Sequence, residues 1–122
     1  MLRGEIWWAQ PSLVGGSRKR RPFLVVSHDA FNRNGRYPKV MVVHLTSVQR
    51  VGADYPWEVQ IPRGEGGLPA GSVAKCGEAY TLLKTQLEQR AGMLRADKMS
   101  QVDAALTIAL GLPVGANEIR EV

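Results

Sequence analysis

The segment from Val40 to Leu45 limits the possible folds more than any other part of this 122-residue chain. It is apolar throughout except for His44. A continuous apolar run of this length is typical of a strand that is buried on both faces. We therefore predict that it forms a central strand of the fold.

Further short segments of strand character lie before and after this run, separated by turns that are rich in glycine and proline. The predicted strands cover residues 4–9, 21–27, 57–61, 72–76, 79–83 and 91–94, and Gly77 permits a bulge or bend between two of them. A helical turn is predicted at 29–33. These patterns predict an α+β fold built on a small, strongly bent antiparallel sheet or partial barrel.

The only long helix is predicted near the C-terminus, where apolar side chains recur at helical spacing. Asp97 or Ser100 is the expected N-cap, and Gly111 and Pro113 are expected to end the helix. We predict a single domain over residues 1–112 and a polar tail over 113–122. The side chains expected on the buried face of the helix are Met99, Val102, Leu106, Ala109 and Leu110.

The charge of the chain favours a polyanionic partner such as a nucleic acid. Sixteen lysines and arginines against eleven acids give a net charge of +5. The single cysteine, Cys76, excludes an internal disulfide and fits a reducing cytosol, and we expect it to be a small buried strand residue rather than a reactive thiol. No signal peptide or membrane-spanning segment is expected.

Two polar strand ends suggest a site for a phosphodiester. Arg21 begins one predicted strand, while Thr46 and Ser47 end the central one. A guanidinium can hold two phosphoryl oxygens at once, and hydroxyls can donate further hydrogen bonds. Strand alternation places His44 and Thr46 on the same face and Ser47 on the other. Arg21 and the hydroxyls could stabilise the charge that develops when a 2′-hydroxyl of RNA attacks the neighbouring phosphorus in a reaction that uses no metal.

His44 could act as an acid or base, since an unperturbed imidazole titrates near neutral pH, or it could be a hydrogen-bonded structural residue. The basic cluster Arg18, Lys19 and Arg20 could grip the phosphate backbone or lie in a solvated loop. Trp7 and Trp8 could stack on bases, although we expect at least one of them in the core. Neither a metal nor a cofactor is expected, because the histidines and Cys76 lack ligand spacing and no nucleotide-binding glycine motif is present.

Several segments together resemble MazF/PemK toxins, in the same order along nearly the whole chain. They are Arg3-Gly4-Glu5-Ile6-Trp7, Arg21-Pro22 before an apolar strand, the turn Ser27-His28-Asp29-Ala30-Phe31-Asn32-Arg33, Leu45-Thr46-Ser47, Gly71-Ser72-Val73 and Val102-Asp103-Ala104-Ala105-Leu106. The resemblance implies a plasmid-maintenance-barrel fold of SH3-like type and a homodimer. It also implies the toxin of a bacterial toxin–antitoxin pair, opposed by an antitoxin with an acidic, disordered tail.

The activity implied is that of a cytoplasmic, metal-independent and sequence-specific endoribonuclease. It would cut single-stranded RNA to leave a 2′,3′-cyclic phosphate and a 5′-hydroxyl. The catalytic arginine of the family falls on Arg21 and its catalytic threonine on Thr46. RNA contacts are expected at Arg18, Lys19, Arg20, Asn32, Ser47 and Glu78. The last of these stands where the family often has glutamine, so the acid there is expected to alter the contact with RNA.

Two other functions remain open at this point. The related CcdB toxins share the fold and act on DNA gyrase, so a non-catalytic gyrase inhibitor is one alternative. A non-catalytic RNA-binding barrel is the other. Neither alternative needs an arginine and a hydroxyl placed together, so the geometry of Arg21 and Thr46 distinguishes them from a ribonuclease.

Overall fold

A computed structural model describes residues 1–11, 19–47 and 54–113. It contains six strands: β1 (Glu5–Ala9), β2 (Arg21–Val25), β3 (Lys39–Ser47), β4 (Glu58–Ile61), β5 (Ser72–Leu83) and β6 (Leu87–Met93). It also contains the short helix α1 (Asp29–Asn32) and the long helix α2 (Ala96–Leu110). Two single 3-10 turns, Glu65–Gly67 and Lys84–Gln86, precede β5 and β6.

The strands form one antiparallel sheet in the order β4-β5-β3-β2-β1-β6. Within the described ranges β4 and β6 do not pair with each other, so the sheet stays open. β3 lies inside it, and both Val42 and Val43 are fully buried although they point to opposite faces. The predicted α+β fold and the central position of β3 are confirmed.

The two faces of the sheet carry separate apolar clusters, because alternate residues of each strand point to opposite sides. One face packs against α2 and buries Ile6, Leu24, Val43, Leu45, Val59, Ile61, Leu68, Ala74, Cys76, Leu94, Val102 and Ala105. The other buries Ala9, Phe23, Val25, Val40, Val42, Leu82 and Leu87. The expectation that Cys76 is a buried strand residue is confirmed, and burial raises the pKa of its thiol to about 11.

The two strands predicted at 72–76 and 79–83 are in fact one continuous strand, β5. The register of pairing with β3 shifts within this strand: Val43 lies opposite Ala79, whereas His44 lies opposite Lys75. The intervening residues of β5 therefore form a bulge around Gly77. A Cβ on Gly77 would lie 3.0 Å from Cδ1 of Trp57, so the glycine permits a close approach.

Helix α2 begins at Ala96, before both of the predicted caps. Arg95 occupies the N-cap position without a capping side chain, so the predicted caps Asp97 and Ser100 are wrong. Gly111 ends the helix in the left-handed conformation, as predicted. Val102 and Ala105 are buried, whereas Ala109 and Leu110 are exposed because the described chain places nothing over the last turn.

The predicted tail lies outside the described residues except for Pro113. In the described part of the chain, no helix is both long and apolar enough to cross a membrane.

Candidate active site

Arg21 and Thr46 are brought together by the pairing of β2 with β3. The ladder pairs Phe23 with His44 and Val25 with Val42. Continuing this register by two residues places Arg21 opposite Thr46, with their side chains on the same face. Pro22 favours an extended backbone at Arg21, because a residue before proline is disfavoured in the helical region.

The imidazole of His44 lies between these two side chains. Nη1 of Arg21 is 3.4 Å from Nε2 of His44, and Oγ1 of Thr46 is 3.4 Å from Nδ1. Both are long contacts, of the kind that catalytic groups often show before substrate binds. The structure therefore joins Arg21, His44 and Thr46 into one line, which we call the triad.

The environment of His44 favours its neutral form. The residue is 5% exposed, and its ring packs against Phe23 with ring centroids 5.7 Å apart. Burial lowers the pKa of His44 from its ordinary 6.5, and the neighbouring charges of Arg21 and Lys75 lower it further. The carboxylate of Glu78, whose Oε1 lies 4.0 Å from Nδ1, acts in the opposite direction.

Arg21 also retains capacity to bind an anion. Its Nε is buried and has no hydrogen-bond partner among the described residues. A buried donor without a partner is costly, so an incoming acceptor at this position would be stabilised. A phosphoryl oxygen is such an acceptor.

An open cavity of about 460 Å³ lies beside the triad. Its wall combines apolar surface with basic and hydroxyl groups, and it is lined by Trp8, Lys19, Arg20, Arg21, Pro22, Leu45, Thr46, Ser47, Leu68, Pro69, Ala70 and Ser72. The guanidinium of Arg20 lies 5.3 Å from the ring centroid of Trp8 and donates to Gln89. The cavity thus offers an apolar floor and a cationic rim, which suits a nucleotide.

Most of the residues that are predicted to contact RNA lie around this cavity. Lys19, Arg20 and Ser47 line it, and Glu78 lies next to His44 on the bulge of β5. Arg18 lies outside the described residues.

Asn32 is placed differently. It is buried in α1, where its amide donates to the carbonyl of Ser27 at 2.8 Å and to Oδ1 of Asp29 at 3.0 Å. It lies near Met41, at the opposite end of β3 from Thr46, and its side chain holds the turn together. An RNA contact at Asn32 stays a prediction that this arrangement does not favour.

Several residues around the site were not predicted from the sequence. Leu68, Pro69 and Ala70 line the cavity, but their segment reads only as a turn. Of the adjacent residues Trp7 and Trp8, Trp8 lines the cavity, while Trp7 donates to Oε1 of Glu5 at 3.0 Å and packs against a buried cluster. This agrees with the expectation that at least one of them packs in the core, since successive strand residues point to opposite faces.

Comparison with known proteins finds consistent similarity over nearly the whole chain. Residues 2–110 match the family model described as PemK-like, MazF-like toxin of type II toxin–antitoxin system. The endoribonuclease MazF2 of Mycobacterium bovis is 37% identical over 112 residues, which are 90% of this chain and 96% of that protein. The endoribonuclease MazF6 of Mycobacterium tuberculosis shows the same identity and coverage.

Solved structures of this family are similar to the chain over the same length. An endoribonuclease in complex with its cognate antitoxin, from a mycobacterial species, superimposes with a TM-score of 0.75 at 28% identity. The match covers 93% of this chain and 98% of that one. A MazE–MazF structure from Deinococcus radiodurans has a TM-score of 0.68 at 28% identity and covers 91% of this chain and 95% of the other.

Proposed function

This chain belongs to the PemK-like, MazF-like toxin family of type II toxin–antitoxin systems, and from that premise we propose that it is a toxin that cleaves single-stranded RNA. The observation that carries the proposal is the triad beside a basic cavity. The triad supplies a cation and a hydroxyl at one point, which is the minimum for holding and polarising a phosphodiester.

The proposed reaction needs no metal. The 2′-oxygen of a ribose forms a bond to the adjacent phosphorus, its proton passes to a base or to water, and the bond to the 5′-oxygen breaks as that oxygen gains a proton. The products are a 2′,3′-cyclic phosphate and a 5′-hydroxyl. Arg21 stabilises the charge on the phosphoryl oxygens and Thr46 donates to one of them.

The cavity supports binding of the nucleotide next to the cleaved bond. Trp8 and the neighbouring apolar side chains offer a surface for a base, while Lys19 and Arg20 lie at the rim where phosphates would pass. Ser47 adds a hydroxyl. Arg18 is proposed, on the sequence alone, to contact the phosphate backbone of RNA. The expected binding is salt-dependent and favours unpaired RNA, because a base must leave its stack to enter the cavity.

A toxin of this family needs an antitoxin, and the structural relatives support one here. Two of them are complexes, one titled with its cognate antitoxin and the other as MazE–MazF. We propose that the cognate partner lays an acidic tail across the basic rim of the cavity, in the place of RNA. The substrate would be cellular RNA, so we place the protein in the cytoplasm.

We also propose a homodimer. Apolar side chains are exposed around the last turn of α2 and the neighbouring strand β3: Met41, Leu110 and Leu112 line one groove, and Ile108 lies on the same turn of the helix. Contiguous exposed apolar surface of this kind usually marks an interface.

The triad and the family favour a ribonuclease over the two other functions considered. A gyrase inhibitor would have no use for an arginine and a hydroxyl on either side of a buried imidazole. A plain RNA-binding barrel would bind RNA without releasing product.

The test is cleavage of a long, weakly structured RNA in EDTA, with the ends of the products mapped. Arg21→Ala and Thr46→Ala are expected to lower the rate constant of cleavage by about 10²–10³-fold, because each removes a donor to the transition state. Arg36→Ala and Thr81→Ala are matched controls, since both side chains are exposed and lie outside the cavity. Cleavage by well-folded Arg21→Ala at the wild-type rate would overturn the proposed mechanism.

A further inference from the structure

His44 is almost fully enclosed, although it touches both proposed catalytic groups. The ring is covered by Phe23 on one side, and its two nitrogens face Arg21 and Thr46. Its position suggests a role that acts through its neighbours.

The chemistry of arginine fixes which nitrogen of His44 carries the proton. A guanidinium has five N–H donors and no acceptor, so Nε2 of His44 can only accept from Nη1 of Arg21. A neutral imidazole has one donor and one acceptor, so the proton resides on Nδ1. That N–H faces Oγ1 of Thr46 at 3.4 Å, with Oε1 of Glu78 further away at 4.0 Å.

This tautomer determines what Thr46 can do. A hydroxyl that accepts a hydrogen bond from Nδ1–H keeps its own proton available for another acceptor. Arg21, held through one N–H, likewise keeps its remaining donors. Both groups would then present donors to a phosphoryl oxygen before substrate arrives, as electrostatic catalysis requires.

We propose that His44 is a positioning residue that acts as the neutral Nδ1–H tautomer, aligning Arg21 through its acceptor nitrogen and Thr46 through its donor. The proposal rests on the proposed ribonuclease function. It assigns His44 no proton transfer to or from the RNA.

Protonation of His44 would break this arrangement. An imidazolium donates from both nitrogens, so Nε2–H would face the guanidinium of Arg21 with no acceptor between them. The charged groups facing the ring are Arg21 from β2 and Lys75 and Glu78 from β5, and only Glu78 opposes the two cations. Burial and Arg21 lower the pKa of His44, so the neutral form predominates at neutral pH. Activity is therefore expected to fall in acid with the titration of one group.

Two variants separate the two contacts. Gln places an acceptor near the position of Nε2 but has no donor at Nδ1, so His44→Gln keeps the link to Arg21 and loses the one to Thr46. His44→Asn does the reverse, because its amide nitrogen takes the place of Nδ1. Each is expected to lower kcat by about tenfold, the worth of one or two hydrogen bonds, with KM within about twofold of the wild-type value. The acid limb of the pH profile should vanish in both.

A double-variant cycle identifies the group through which His44 acts. With Thr46→Ala already present, His44→Gln has no hydroxyl left to misalign, so its effect should shrink to less than about twofold. Single-turnover assays with excess protein make the slow Thr46→Ala background measurable. An unchanged tenfold effect of His44→Gln in that background would contradict the link to Thr46.

The tautomer itself is measured without any reference to activity, by ¹⁵N–¹H NMR of the His44 ring in the full-length protein at pH 7. The expected spectrum shows a protonated Nδ1 and an unprotonated Nε2. A protonated Nε2 would overturn the proposal. So would a loss of more than about a hundredfold in both variants, since proton-transfer groups contribute on that scale. Failure of the folded wild-type protein to cleave RNA would instead overturn the proposed function, while the spectrum would still decide the tautomer.

Discussion

At the scale of single residues, the most informative feature is a histidine placed inside an apolar strand. Spacing along β3 predicts that His44 and Thr46 share a face, and the structure confirms it. The spacing contains no information on Arg21, which reaches His44 only because β2 lies beside β3. The sequence therefore leaves open whether His44 is an acid, a base or a structural residue. The fold restricts the choice, because it shows which groups face the two ring nitrogens.

Burial of neutral His44 predicts that the stability of the protein depends on pH. The pKa of His44 is lowered in the folded state, so between the folded pKa and the ordinary 6.5 the unfolded chain binds more protons. The contribution of the neutral ring is complete above 6.5 and is lost as the pH falls below it. The midpoint of thermal or urea unfolding should decrease in this range.

The control for this prediction is His44→Gln, which cannot titrate and should flatten the profile just below pH 6.5. Glu5 and Asp29 affect the stability of the protein in a separate, more acidic pH range. Burial alone would raise the pKa of Glu5, but hydrogen bonds from Trp7, Leu2 and Arg90 together with the charge of Arg90 outweigh it and lower that pKa below 4.5. Asp29 is lowered from 3.8, first by its bond from the backbone of Arg3. A wild-type profile that is flat from pH 7 to about 5 would contradict the burial of a neutral imidazole.

At the scale of elements, the turn before β5 matters because it carries the wall of the cavity. The turn Glu65–Gly67 packs against β6 so closely that their backbones touch. A Cβ on Gly67 would lie 2.1 Å from the carbonyl oxygen of Ala91, and one on Gly92 would lie 2.4 Å from that of Gly66. The residues that follow, Leu68 to Ala70, then line the cavity.

We predict that Gly67→Ala destabilises the protein much more than Gly64→Ala. Both glycines have positive φ, 78° and 89°, so alanine is strained by about 1–2 kcal/mol at either position. Only at Gly67 does the new Cβ also meet backbone, which should add about 1–3 kcal/mol. Urea unfolding measures both variants, and equal destabilisation would show that the turn does not pack on β6.

At the scale of the whole molecule, the fold separates two surfaces with different properties. One end of the sheet carries the triad and the basic cavity, while the last turn of α2 exposes apolar side chains beside Met41. The net charge of +5 attracts RNA to the molecule over long distances. The basic cavity then provides a defined place for the RNA to bind.

The proposed dimer predicts that Leu110→Glu produces a monomer. Leu110 is 65% exposed, so the substitution should leave the fold intact while placing a charge in the apolar surface. Leu83→Glu is the matched control, since Leu83 is 46% exposed but lies at the end of β5, outside the group of apolar side chains around Met41 and Leu110. Sedimentation velocity at micromolar concentration measures the result. A monomeric wild-type protein, or dimers of both variants, would overturn the proposed interface.

Sequence pattern alone determined much of this fold. A strand buried on both faces must be apolar at successive positions, so the pattern from Val40 to Leu45 identified the centre of the sheet. The glycine at 111 identified the end of α2, because few other residues adopt the left-handed conformation. Arg21 and Thr46 could be singled out by their residue types at strand ends and by family resemblance.

Tertiary structure alone decided how these parts meet. The register of β2 on β3 places Arg21 opposite Thr46, and a shift of one residue would have turned Arg21 to the other face. The bulge around Gly77 brings Glu78 next to His44, and the contact of Gly67 with β6 sets the wall of the cavity. These relations join residues far apart in the chain. Local periodicity cannot encode them, because it records which side of a strand is buried but not which strand lies beside it.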